Sequence, residues 1–204
     1  GEDREALAKS PQLEGFRAKG VEVLFMTDPV DEFWLPQVGE FEGKTFKSVT
    51  RGGADLSNIK ADENDAGAKE EDKKDAAPEG DMTLLVTAFK EALGGKVADV
   101  RASDRLTESA VCLVAEEGAM DMHLEKLLKQ HNQLEQASPR VLELNPANPL
   151  IKALAAQAAH DAGSVTDAAH LLLDQARILE GEVLPDPADF ARRMSEVMAR
   201  SLGD

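Results

Sequence analysis

Apolar positions recur with a helical period in some stretches of this chain and with a period of two in others. In "AMDMHLEKLLKQ", Ala119 to Gln130, the side chains of Met120, Leu124, Leu127 and Leu128 fall within one sector, while Asp121, Glu125, Lys126 and Lys129 lie away from it. The spacing predicts an amphipathic helix. Periodicity alone assigns its apolar stripe to core packing, with a binding surface as the alternative.

The rest of the pattern divides the chain into three parts. Up to about Asp55, "REALAKSP" and "LEGFRAKG" predict short helices, the second stopped by Gly20. "VEVLFM" (Val21 to Met26) and "TFKSVT" (Thr45 to Thr50) predict strands, and "DPVDEFWLPQV" predicts a helix with Asp28 as N-cap and Pro29 in its first position. This is a small α/β unit. From 56 to 80 the pattern vanishes. "ADENDAGAKEEDKKDAAPEG" holds no large apolar residue, so it cannot bury enough surface to offset its ordering entropy, and it reads as a charged linker. Its composition permits helix, although Gly67 and Pro78 oppose one unbroken rod.

Between 81 and 204 the periodic signal returns. "DMTLLVTAFKEALGG" puts Leu85, Ala88, Phe89 and Ala92 on one helical face, and "KVADVRAS", "SAVCLVAE" and "PRVLELN" are β-rich runs, which together predict a mixed sheet packed by helices. Three further helices follow, starting at Asn148 with Pro149 in the first turn, at Ser164, and at Asp186 with Pro187 and Asp189 behind it. In the last two, Val165, Ala169, Leu172, Ala176 and Leu179, and then Phe190, Met194, Val197, Met198 and Leu202, make apolar stripes. Leu171, Leu173 and Ile178 widen the first of them beyond a single seam. A hairpin at a chain end buries one such face on its own sheet; the others need a second surface, most simply another copy of the hairpin. The fold class is therefore α+β, ending in a helical hairpin suited to pairing with a second copy.

Composition and charge remove several functions. Apolar residues make up 42% of the 204 positions, enough for a core. The net charge of -16 disfavours nucleic acid and anionic membrane as partners, since both need clustered Lys and Arg. No apolar run approaches the ~20 residues that span a bilayer, and the single cysteine, Cys112, forms no internal disulfide; both fit a cytoplasmic protein. Chemistry is scarce. Gly94-Gly95-Lys96 lacks the spacing of a phosphate-cradling loop, and His123 and His131 occur in no metal-ligand motif. His160 and His170 read as ordinary helix residues, and Cys112 as a buried structural thiol. Neither catalytic residue nor metal site emerges.

Four long strings add a resemblance. "KGVEVLFMTDPVDEFW" with "EFEGKTFKSVT", then "VRASDRLTESAVCLVAEEGAM", then "VLELNPANPLIKAL", resemble in order the C-terminal half of the 90-kDa heat-shock chaperone family, nearest its bacterial members. The resemblance implies that residues 1–55 are the end of the middle domain, 56–80 a linker, and 81–204 the C-terminal dimerisation domain, whose last two helices form the four-helix bundle with a partner. On it the dimer interface comprises Leu172, Ala176, Leu179, Phe190, Met194, Val197 and Met198. It implies a fragment without the nucleotide domain and arginine loop that use ATP and magnesium in the full-length family, hence no enzyme and no cofactor in this chain. It also ends "ARSLGD" rather than in the Met-Glu-Glu-Val-Asp tail that co-chaperones read.

The resemblance reverses the assignment of the opening stripe. In the family an amphipathic helix of the C-terminal domain projects into the cleft between protomers and contacts client proteins. By position this is Ala119 to Gln130, with Met120, Leu124, Leu127 and Leu128 on its apolar side. An aromatic of "DEFW" is implicated as well, and Phe33 holds that place with Trp34 beside it. The implied partners are a second copy, unfolded or partly folded clients, and the 70-kDa heat-shock chaperone system. The competing reading is a purely structural homodimerisation module, or an acidic adaptor that binds no clients.

Overall fold

A computed structural model describes residues 3–52, 56, 76–134 and 138–202. The expected 56–80 linker lies for the most part outside the described residues.

The C-terminal part is built on a mixed three-stranded sheet in the order β3-β5-β4, from β3 (Asp99–Ala102), β4 (Val111–Val114) and β5 (Val141–Leu144). The central strand, β5, pairs parallel to β3 and antiparallel to β4. Alternation sends Val100, Val111, Leu113, Leu142 and Leu144 to one face, where they join the main core with Leu85, Phe89, Ile151, Ala155 and Leu173. Four helices cover that face or its margin: α4 (Glu79–Leu93), α5 (Met122–Gln130), α6 (Pro149–His160) and α7 (Thr166–Leu179). The predicted starts hold for the later helices. Asn148 accepts from the Leu150 amide, and Asp186 accepts from the Asp189 amide at the head of α8 (Pro187–Leu202). α7 begins two residues after Ser164, behind a 3-10 turn capped by Asp161, and the chain leaves it through Gly181, whose φ of +68° few other residues adopt.

The other face of the sheet is polar at its centre. Arg101, Glu143 and Cys112 stand side by side across the three strands, and the Glu143 carboxylate accepts from Arg101 at 2.6 Å and from the Ser103 hydroxyl at 3.0 Å. Arg105, equally buried, lies 3.1 Å from the second oxygen of Glu143 and donates to the Val49 and Arg51 carbonyls. The first part of the chain packs on this face. It contains α1 (Arg4–Ala8), α2 (Glu14–Ala18), α3 (Asp31–Val38) and a short hairpin of β1 (Glu40–Phe41) and β2 (Lys44–Thr45). Gln12 reaches 2.8 Å to the Leu113 carbonyl, and a Cβ on Gly15 would stand 2.6 Å from the Arg105 carbonyl oxygen, so only glycine lets α2 approach this closely. Residues 50–52 extend the contact by a bridge between Arg51 and Ala115.

Three expectations for this first part are corrected. Val21 to Met26 lies outside both sheets, because a β-prone run becomes a strand only beside another and no described strand lies there. Of Thr45 to Thr50 only Thr45 is in a strand. α3 begins at Asp31 rather than at Pro29: Asp28 accepts from the Val30 amide and its carbonyl from the Asp31 amide, making a turn ahead of the helix.

Candidate binding surfaces

The two expected client-contact segments meet. Glu32, on α3, lies 4.0 Å from His123 Nε2 in the first turn of α5. Asp121 caps that helix by accepting from the His123 amide at 2.9 Å, and also accepts from the hydroxyls of Ser48 and Thr50. Burial, and then the charge of Asp121, push the Glu32 carboxyl above its ordinary value. Burial acts to raise Asp121 too, but hydrogen bonds from Ser48, the His123 amide and Thr50 outweigh it and hold that carboxyl low. The junction thus contains one carboxylate stabilised as a charge beside another that is not.

On α3, Phe33 is 55% exposed, and Trp34 is partly exposed with its indole N–H donating to Asp31 at 2.9 Å. Neither ring enters the core. The stripe of "AMDMHLEKLLKQ" divides. Met120 precedes the helix and is 38% exposed, Leu124 and Leu128 are half-buried, and Leu127 is only 8% exposed. The polar side divides as well, because Glu125 is buried against Arg140 at 2.5 Å. Met122 joins the main core. Two sectors of this helix therefore pack inward, and Met120, Leu124 and Leu128 are the apolar positions still reachable from solvent.

The C-terminal hairpin shows a similar division. Leu172 and Ala176, both named for the expected interface, belong to this chain's own core, because α7 turns that side toward the sheet. Leu179, Met194, Val197 and Met198 are exposed, with Phe190 half-buried, and Ile178, Val183 and Leu202 extend the apolar area. Polar contacts hold α8 against α7, since Arg193 bridges Asp167 at 2.6 Å and Asp189 at 2.7 Å, and Arg200 reaches Asp167 at 3.0 Å. Hydrogen bonds from Arg193 and Arg192 hold the Asp189 carboxyl down to about 2.

Sequence reasoning missed the polar residues that join the two parts of the chain and those that tie elements together within the C-terminal part. Gln12, Glu14, Arg105, Glu143 and the Glu125–Arg140 pair all make contacts that no local pattern announces. One signal was present: Glu143 is the single charged residue in the run "VLEL", and a charge inside an otherwise apolar strand needs a partner. As for nucleotide chemistry, Gly94–Lys96 forms a 3-10 turn closing α4, with Lys96 Nζ 3.4 Å from His170 Nδ1, and this arrangement does not fit a phosphate cradle. Among the described residues no group of three or more His, Cys, Asp or Glu side chains could hold a metal ion, and no helix is long and apolar enough to cross a membrane. Burial, with Glu143 adding to it, pushes the Cys112 thiol well above its ordinary range.

The chain matches the model of the Hsp90 protein family over residues 1–204. It is similar to the chaperone protein HtpG of Paramagnetospirillum magneticum, with 58% identity over 99% of this chain and 32% of that protein. It is 52% identical to the chaperone protein HtpG of Roseobacter denitrificans and to that of Rhodospirillum rubrum, again over 99% of this chain and 32% of each relative. The chain thus spans about a third of the length of the curated relatives it matches. Matched along its whole length and more than half identical to these relatives, it belongs to the Hsp90 family.

Proposed function

We propose that this chain carries the self-association and client-contact surfaces of a bacterial chaperone, with ATP and magnesium handled by other parts of the longer protein. The observation that carries the reading is the exposed apolar area of the C-terminal hairpin, where Leu179, Met198 and Leu202 are 54%, 55% and 84% exposed. Burying one such side chain contributes about 1.5–3 kcal/mol, so several from each copy outweigh the cost of association. The two hairpins then form a four-helix bundle, and the cytoplasmic dimer presents Phe33, Trp34, Met120, Leu124 and Leu128 to unfolded or partly folded clients. The 70-kDa heat-shock chaperone system is a further partner on this reading. Light scattering tests the first step: a mass of two chains is expected, and a monomer at all concentrations would overturn it. Calorimetry with ATP and magnesium tests the second; no binding is expected, and binding with a defined stoichiometry would reverse the assignment.

The burial of Leu127 and Glu125 favours a second reading, in which the Met122–Gln130 helix packs and the chain is a structural dimerisation module. Salt separates this and the acidic adaptor from client capture. Apolar contacts survive added salt, whereas charge-driven adaptor binding weakens steeply. A module that only dimerises captures nothing at either ionic strength.

A further inference from the structure

We propose that the Thr107–Ser109 turn is a carboxylate-binding site whose in-chain ligand is Glu14, forming a latch that sets how residues 3–52 sit on the C-terminal sheet. Three consecutive backbone N–H groups converge on this one side chain. Glu14 Oε2 accepts from Thr107 and Glu108 at 2.8 Å each and from Ser109 at 3.2 Å, while Oε1 accepts from Ser109 at 3.1 Å. Successive amides pointing into one concavity form an anion site, and charge-assisted bonds to them are stronger than neutral ones.

The turn is braced from behind. Asn145 Nδ2 donates to the Ser109 carbonyl and Asn148 Nδ2 to the Glu108 carbonyl, each at 2.9 Å. The Ser103 hydroxyl accepts from the Arg105 and Leu106 amides on the approach to it. The Glu108 carbonyl shares its planar peptide unit with the Ser109 N–H, so the bond from Asn148 holds that amide toward Glu14 before any anion arrives, and the bond from Asn145 holds the peptide unit that follows. These partners lie in the C-terminal part, so the site belongs to that part and Glu14 enters from the other.

Its position separates it from the other joins. Gln12 to Leu113 is buried, as is Arg105 with Glu143, whereas the Glu14 bonds are exposed at Thr107 and Glu108. They border a cleft of about 560 Å³ lined also by Lys9, Ser10 and Arg17. An external anion reaches this join without unfolding the core. Lys9 and Arg17 offset Glu108 in the same cleft, so the ligand class follows from geometry: the two oxygens of one planar group take all four bonds, which fits a single carboxylate.

Hydrogen exchange on the full 204-residue chain tests the latch, independently of any client. Glu14→Ala is expected to keep the helical circular dichroism and to raise exchange at the Thr107, Glu108 and Ser109 amides about tenfold, the scale of one lost charge-assisted bond. Formate is expected to restore protection where an equal concentration of chloride does not, and phosphate to restore less than formate. In Glu14→Gln, the single oxygen kept at the Oε2 position leaves an NH2 facing Ser109, so Ser109 should exchange fastest of the three. Unchanged exchange in Glu14→Ala would overturn the site. Equal rescue by chloride and formate would overturn its carboxylate selectivity, and so would a Glu14→Gln variant indistinguishable from the parent.

Discussion

Glu125 and Arg140 form a 2.5 Å ion pair in the interior, joining the middle of the Met122–Gln130 helix to the residue before β5. Their side chains are 2% and 8% exposed, and among the described residues Arg140 Nε and Nη1 have no hydrogen-bond partner. Losing either member strands the other charge in a place where solvation is poor. Arg140→Ala should therefore cost about 3 kcal/mol in urea unfolding, and Glu125→Leu with Arg140→Met together should recover most of it. A loss below about 1 kcal/mol in the single variant would mean that water reaches the site.

The two parts of the apolar stripe should respond differently. Leu127→Ser is expected to cost about 2–5 kcal/mol through the cavity and the buried hydroxyl. Leu124→Ser with Leu128→Ser should cost about 1 kcal/mol or less, because both are already half-solvated, and should reduce capture of a partly unfolded protein. Adding Phe33→Ala and Trp34→Ala should deepen the capture defect beyond either pair alone, since the Glu32–His123 contact brings the two segments together. Capture unaffected by all four substitutions would leave the stripe a packing element.

For self-association, the placement of each side chain selects the variants. Val197→Glu with Met198→Glu alters exposed positions and should give a folded monomer by light scattering. Leu172→Glu puts a charge into this chain's own core and should lower the melting temperature sharply, whatever the state of association. A dimer persisting in the first variant would place the interface elsewhere.

Two carboxylates should impose opposite pH dependences. Asp121 is held below its ordinary value of 3.8, so its contacts contribute fully above that value and are lost as pH falls through the lower folded value. Asp121→Asn should flatten the acid limb of stability against pH and cost about 1 kcal/mol at neutral pH through the weakened helix cap. Glu180 is pushed above its ordinary 4.5 by burial, against the hydrogen bond from Gln12. Its charged form therefore costs stability above the folded value, and that cost is relieved as pH falls. Glu180→Gln, which keeps an acceptor for Gln12, should raise the melting temperature at pH 7 and leave the acid side nearly unchanged. A lowered melting temperature at pH 7 would show that the charge itself holds Gln12.

Local pattern by itself determined the strands Asp99–Ala102, Val111–Val114 and Val141–Leu144, and the helices starting behind Asn148 and Asp186. Their periodicity and caps are satisfied within a few residues, so no distant contact was needed to read them. The order and direction of the strands, by contrast, were settled only in three dimensions, because β5 is central through partners about 30 and 40 residues away. The same holds for which side of each amphipathic helix is inside. Leu172 and Leu179 share one stripe in sequence, yet the first packs on the sheet and the second faces solvent, since α7 runs past the edge of what it covers. Val21 to Met26 has strand composition and no described strand beside it, and Glu125 looks like a solvated charge until Arg140 is brought to it. Periodicity records that a side chain is apolar or charged; whether it is buried, paired or exposed depends on the surface that folding places against it.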